Sequence, residues 1–321
     1  MRILSGIQPS GILHIGNYFG MMRPAIALQD EGEALYFIAD YHALTSLRDP
    51  KALRENSRRV ALDFLACGLD PGKAALFRQS DVPQVTELSW ILSTVTPKSR
   101  LELAHSYKDK IARGMPANAG LFTYPVLMAA DILIYDSDVV PVGKDQKQHI
   151  EITRDIATRI NETYGSEVLK LPEPRVQAKT EVVPGLDGQK MSKSYGNTID
   201  IFGEEKETRK RIMSIVTDSV AVEAPKNPDE STIFQLFSLV GTPDEVASMR
   251  AKFEQGGTGY GEFKKELFTR LWEFFGPMRQ RWEEILKDPG YIDQILRKGA
   301  ERANAIADRV MERVRQAVGL R

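Results

Sequence analysis

The sequence predicts an α/β protein: a doubly wound parallel sheet with a helical insertion, followed by a largely helical region. Three observations carry this expectation. Ala34-Leu35-Tyr36-Phe37-Ile38-Ala39 and Ala74-Ala75-Leu76-Phe77 are continuous apolar runs separated by a helical stretch, the pattern of strands buried on both faces. A short apolar start at Ile3-Leu4 feeds a turn cluster, Ser5 to Gly11, and then a helix. From Glu204 onward the composition shifts to helix, interrupted at Pro- and Gly-bearing turns.

Composition bounds the rest. The 321 residues suit one large domain or two ordinary ones, and 42% hydrophobic content supports a sizeable core. With 43 basic and 44 acidic residues the net charge is −1. No global basic field announces nucleic acid, so any such contact must come from local patches. A single cysteine, Cys67, excludes a disulfide within the chain and a cysteine-built metal cluster; its expected place is the apolar face of a helix around Val60 to Leu69. No charged segment followed by a long apolar stretch opens the chain, and no 18-residue apolar run occurs. The expectation is a chain with no membrane span in a reducing, cytoplasmic setting.

The elements follow in order. Asp40-Tyr41-His42 falls at the carboxyl end of the second strand, where open α/β sheets place ligand groups. Asp49-Pro50 starts a helix, Asp as cap and Pro in the first turn. The stretch from Leu103 to Asn118 carries His105, Lys108, Lys110 and Arg113 between breakers and reads as a basic loop or short helix. Val139-Val140-Pro141-Val142-Gly143 reads as a short strand and turn, and 148–164 as a strong helix. Pro172, Pro174, Pro184, Gly185 and Gly188 predict a long irregular connection. Thr242-Pro243-Asp244-Glu245 is a helix start.

Two short stretches carry chemistry. A strand, a glycine-rich turn and a helix put backbone N–H groups at a helix start, a place that attracts phosphate. There His14-Ile15-Gly16-Asn17 offers side-chain nitrogens at 14 and 17 to phosphate oxygens, and a small Gly16 lets a flat base lie against the backbone. Neither the dinucleotide G-x-G-x-x-G nor the P-loop pattern stands here. Far downstream, Lys190-Met191-Ser192-Lys193-Ser194 sets two lysines three residues apart on a loop. Such a pair can close over a triphosphate and neutralise the charge that develops on leaving pyrophosphate.

In this order, the two stretches resemble the paired signatures of class I aminoacyl-tRNA synthetases, HIGH and KMSKS, the first with Asn17 in place of its second His. Gly120-Leu121-Phe122-Thr123-Tyr124-Pro125-Val126-Leu127-Met128-Ala129-Ala130-Asp131-Ile132-Leu133, together with Val140 to His149, is similar to the bacterial tryptophanyl-tRNA synthetase family. The likeness runs over the whole chain and is densest from 5 to 200. It implies a Rossmann-like catalytic domain at 1–200 with a helical insertion, and a helical anticodon-binding domain at 201–321. The place of the last helix, Ala300 to Val318, is left open between the two. It also implies a homodimer formed through the inserted helices, with ATP and its Mg²⁺, L-tryptophan and tRNA(Trp) as partners. No protein-bound metal cluster is expected, since the iron–sulfur cluster of some relatives needs four cysteines.

Carried over residue by residue, the resemblance implies that Gln8, Pro9, Ser10, Gly16 and Asn17 line the nucleotide site. Gly143 and Asp145 hold the ribose, with Lys144 adding charge beside it where relatives carry an acid. Val182 meets adenine through its backbone. Lys190, Met191, Ser192, Lys193 and Ser194 close over the phosphates, and Lys110 reaches them with Lys108. His14 and Asn17 join Lys190, Lys193 and Lys110 as the catalytic set. Tyr124 and Gln146 bind the tryptophan ammonium, and His42 adds a polar group near the substrate. Asp131 accepts the indole N–H while Met128 lies against the ring, with Leu4, Val140 and Val142 as apolar walls. Three rival readings remain. One is the sister tyrosyl family, which carries Gln where Met128 stands. The others are a nucleotidyl-transfer enzyme needing no tRNA and a noncatalytic paralogue.

Overall fold

The computed structural model describes residues 1–320 apart from 103–113, 115–117, 143–146, 166 and 177–181, and leaves the side chains of Val142 and Val176 undescribed. The strands are β1 (Arg2–Ile7), β2 (Glu33–Ile38), β3 (Ala74–Arg78), β4 (Val139–Val142) and β5 (Glu173–Val176). They lie in the order β3-β2-β1-β4-β5, and the four pairings are all parallel. This is the Rossmann-like parallel sheet predicted, and the chain reverses direction across it between β1 and β4. Ligands of open α/β sheets bind outside the carboxyl ends at that reversal.

The helices that cover the sheet are α1 (Ile15–Asn17), α2 (Arg23–Ala27), α3 (Asp40–Ala43), α4 (Pro50–Ala66), α5 (Gln84–Ser93), α6 (Lys98–Glu102), α7 (Ala119–Leu133) and α8 (Lys147–Tyr164). The remainder is helical: α9 (Glu205–Met213), α10 (Thr232–Val240), α11 (Pro243–Gln255), α12 (Tyr260–Phe274), α13 (Gly276–Leu286) and α14 (Tyr291–Val318). Local chemistry sets several starts. Asp49 Oδ1 accepts the N–H groups of Lys51 and Ala52 at 2.8 and 3.3 Å, as expected of a cap before Pro50. Thr242 and Glu245 form a reciprocal capping box.

Two expectations need correction. The prolines and glycines of 172–188 predict a long irregular connection, yet Glu173–Val176 forms β5. Pro174 lacks a donor, and β5 lies at the sheet edge, where a missing donor breaks no ladder on its outer side. The helix expected from Tyr18 onward starts at Ile15 and widens to a π turn over Tyr18–Met22, in which the Arg23 N–H reaches back to the Tyr18 carbonyl.

Strand residues alternate between two cores. Tyr36, Ile38 and Leu76 join the cluster that continues through Phe234, Phe253 and Phe275 of the helical region. Leu35, Phe37, Ala75 and Phe77 face the cluster beneath α5, α7 and α8. Both faces of β2 are therefore apolar, which is why its sequence shows no alternation.

The last helix belongs to both cores. Ile292, Ile295 and Leu296 pack in the first, and Ala300, Ala303, Ala307 and Val310 in the second. α14 thus passes over the free edge of β3 and covers it. The crossing point is Gly299, where an added Cβ would stand 2.0 Å from the Leu76 carbonyl oxygen. Because the obstacle is backbone, Gly299→Ala is expected to cost about 2 kcal/mol by overpacking. A lowered thermal midpoint checks this, and an unchanged midpoint would contradict the close packing.

Candidate active site

The first half of the candidate site is built where β1 ends. Gln8 and Ser10 are exposed and Pro9 is buried in the turn that follows, closed by a Ser10 N–H to Gln8 carbonyl bond of 2.8 Å. Gly11 takes φ +100°, which a side chain rarely adopts. The chain then pairs with the segment just past the second signature. The Ile15 N–H donates to the Ile199 carbonyl at 2.9 Å, and the Ile201 N–H to the Leu13 carbonyl at 3.2 Å. His14 and Asp200 form the antiparallel bridge between them. Two stretches about 180 residues apart in sequence are thereby joined by backbone. Gly16 has a packing reason to be small: an added Cβ would lie 2.8 Å from His14 Nδ1 and 3.3 Å from Met191 Cβ.

Within the first signature, His14 and Asn17 serve each other. His14 Nδ1 accepts the Asn17 N–H at 3.3 Å, and Asn17 Oδ1 accepts the His14 N–H at 3.1 Å. His14 is buried, and its pKa is lowered to about 4, first by burial and then by the Lys193 charge. The ring is therefore neutral at pH 7, with Nδ1 occupied as an acceptor.

The second signature is an organised loop. Met191 is 4% exposed and packs in the first core, so its side chain anchors the loop. Its N–H donates to the Val183 carbonyl at 2.9 Å, next to the exposed Val182. Asn197, buried and not singled out by the motif, is the organiser. Its Oδ1 accepts the Ser192 N–H at 2.8 Å, while its Nδ2 donates to the Asp187 carboxylate at 2.7 Å and the Lys190 carbonyl at 3.2 Å. Ser192 Oγ accepts the Ser194 N–H at 3.3 Å. The Lys190 side chain is exposed. Lys193 Nζ donates to the Ser10 carbonyl at 3.0 Å, so this lysine bridges the loop to the turn after β1. Desolvation lowers its pKa.

The second half of the site lies on α7, whose cap Asn118 accepts the Leu121 N–H at 2.8 Å. Tyr124, Met128 and Asp131 share one face, with Tyr124 and Asp131 buried and Met128 half-buried. The Tyr124 ring stands edge-on to His42, centroids 6.4 Å apart. Asp131, 1% exposed, is already engaged. His42 Nε2 lies 2.8 Å from its Oδ2. Gln79 Nε2 donates to Oδ1 at 2.7 Å and Oδ2 at 2.9 Å. Burial raises the Asp131 pKa, and the His42 and Gln79 hydrogen bonds oppose it. Oδ1 thus has one donor among the described residues and keeps acceptor capacity.

Gln79 was missed by motif reasoning. Its only signal was position: a polar residue at the carboxyl end of a buried parallel strand. Leu4 and Val140 are buried at 1% and 8% in the second core, beside the α7 residues Val126 and Ala129. A cavity of about 340 Å³ opens beside His42 and Tyr124, bordered also by Tyr41, Thr45, Ser89 and Thr123. Asp131 and Met128 do not line it, so it adjoins this cluster without including it. Lys108, Lys110, Gly143, Lys144, Asp145 and Gln146 lie outside the described residues, as does the Val142 side chain.

Known proteins resemble this chain along its length. The model of the family "tRNA synthetases class I (W and Y)" matches residues 1–276. A protein of Fusobacterium nucleatum is 54% identical over 319 residues, covering 99% of this chain and 98% of that one. One of Rhodopirellula baltica is 54% identical over 321 residues, covering both chains completely, and both relatives are named Tryptophan--tRNA ligase. A tryptophanyl-tRNA synthetase from Campylobacter jejuni, solved in complex with ADP and tryptophan, superposes with a TM-score of 0.95 at 48% identity, covering 99% of this chain and 100% of that one. The chain therefore belongs to the class I tRNA synthetases, in the family of tryptophan-tRNA ligases.

Proposed function

We propose that the protein attaches L-tryptophan to tRNA(Trp) in two steps at this site. The tryptophan carboxylate attacks the α-phosphorus of ATP. An O–P bond forms, the bond to the β-phosphate oxygen breaks, and pyrophosphate leaves. A terminal ribose hydroxyl of the tRNA then takes the acyl group and AMP departs. The attacking carboxylate is already ionised at neutral pH, so the first step needs no general base. Catalysis is positioning plus charge stabilisation. Magnesium travels with the ATP phosphates as part of that substrate.

The observation that carries this reading is the backbone pairing of the first signature with the segment just past the second, Leu13–Ile15 with Ile199–Ile201, in a chain of this family. In this reading the turn 8–11 and the start of α1 receive the nucleotide, and Lys190 and Lys193 meet the departing phosphates. The α7 face takes the amino acid: Tyr124 toward its ammonium, Met128 against the ring, and Asp131 accepting the indole N–H. The helical region 201–321 contacts the anticodon, and the enzyme acts as a cytoplasmic homodimer. Among the described residues no helix is long and apolar enough to cross a membrane.

Pyrophosphate exchange with each of the twenty amino acids tests the reading. Tryptophan alone is expected to support exchange well above background. Faster exchange with tyrosine would favour the sister specificity, and no exchange with any amino acid would favour a binding protein.

A further inference from the structure

We propose that Gln79 is a positioning residue for tryptophan selection: it fixes the plane of the Asp131 carboxylate so that one Oδ1 lone pair is held ready for the indole N–H. This rests on the reading that Asp131 accepts that N–H. Gln79 is 1% exposed and its amide is committed at both ends. Its Oε1 accepts the Tyr41 N–H at 3.0 Å, which leaves Nε2 as the end that faces Asp131. That nitrogen lies 2.7 Å from Oδ1 and 2.9 Å from Oδ2, astride the carboxylate.

The geometry explains why two donors are present. His42 contacts Oδ2 alone, and a single contact leaves the carboxylate free to turn about it. The second, two-oxygen contact from Gln79 removes that freedom. The glutamine is itself held. The turn that carries it, Gln79–Asp81, is fastened to α3 through Asp40, whose Oδ1 accepts the Ser80 N–H at 3.0 Å and whose Oδ2 accepts the Ser80 hydroxyl. Segments following β2 and β3 therefore meet a side chain from α7 on one carboxylate. An acceptor held in this way loses no orientational freedom when the substrate arrives.

Gln79→Met keeps the length and removes both polar ends. The test compares kcat/KM in pyrophosphate exchange for tryptophan and for 3-(benzothiophen-3-yl)alanine, which has sulfur in place of the ring N–H. The wild-type protein is expected to favour tryptophan strongly. Gln79→Met should lose roughly 30-fold on tryptophan but less than about 3-fold on the sulfur analogue. Equal losses on both substrates would make Gln79 merely structural and overturn the inference, leaving the Asp131 reading intact. A wild-type protein that does not distinguish the two substrates would overturn the Asp131 reading itself. If Gln79→Met fails to fold, Gln79→Asn carries the same comparison with the same expected split, because it keeps a polar head but is one methylene too short to span both Asp131 oxygens.

Discussion

Lys193→Ala is expected to slow tryptophanyl-adenylate formation about 100-fold while leaving tryptophan affinity nearly unchanged. The Lys193 ammonium lies 3.0 Å from the Ser10 carbonyl, over the turn proposed to receive the phosphates. It is held there by a loop whose own bonds, from Asn197 and from the buried Met191, do not involve the lysine side chain. Removing it should therefore leave the loop folded and delete one charge that meets the leaving pyrophosphate. Such a contact is worth roughly 3 kcal/mol in the transition state, which is about two decades of rate. His14 is a poor replacement, since burial, the larger cause of its lowered pKa, remains when Lys193 is removed. Single-turnover adenylate formation separates the effects. A variant with a raised Michaelis constant for ATP and an intact rate constant would show that Lys193 acts in binding only.

The larger effect is expected at Asp131. A pocket that hydrogen-bonds a substrate N–H rejects analogues lacking it by about 10⁴, because the buried acceptor is otherwise left unpaired. Asp131→Ala should reduce the preference for tryptophan over phenylalanine by about a hundredfold or more, along with most of the activity. Part of the loss comes from His42 and Gln79, whose donors both point at the deleted carboxylate. Exchange rates for tryptophan, phenylalanine and tyrosine, measured on both proteins, check this. An unchanged preference would remove Asp131 from recognition.

The strands and signatures were readable because each rests on local rules. Apolar runs mark β2 and β3, Asp49-Pro50 marks α4, and lysine spacing marks the second signature. What was not readable depends on tertiary neighbours. Pro174 argued against a strand until β5 proved to be an edge. The course of α14 across β3 depends on one glycine, Gly299, whose spacing carries no periodic signal. The mutual capping of His14 and Asn17 and the neutral state of His14 carry no sequence signal, because they follow from tertiary placement and burial. Asp131 was legible on the α7 face through the family likeness. His42 was legible as a polar group near the substrate, but its contact with Asp131 and the part of Gln79 were not, because the two lie 89 and 52 residues from Asp131 in sequence and reach it only through the sheet order.

A crystal structure of the protein with tryptophan bound tests the central claim most directly, because it locates the indole nitrogen. That nitrogen is expected within hydrogen-bond distance of Asp131 Oδ1, with Met128 against the ring and the His42 and Gln79 contacts to Asp131 retained. An indole nitrogen turned away from Asp131, or a ring seated in the neighbouring cavity between His42 and Ser89, would contradict it.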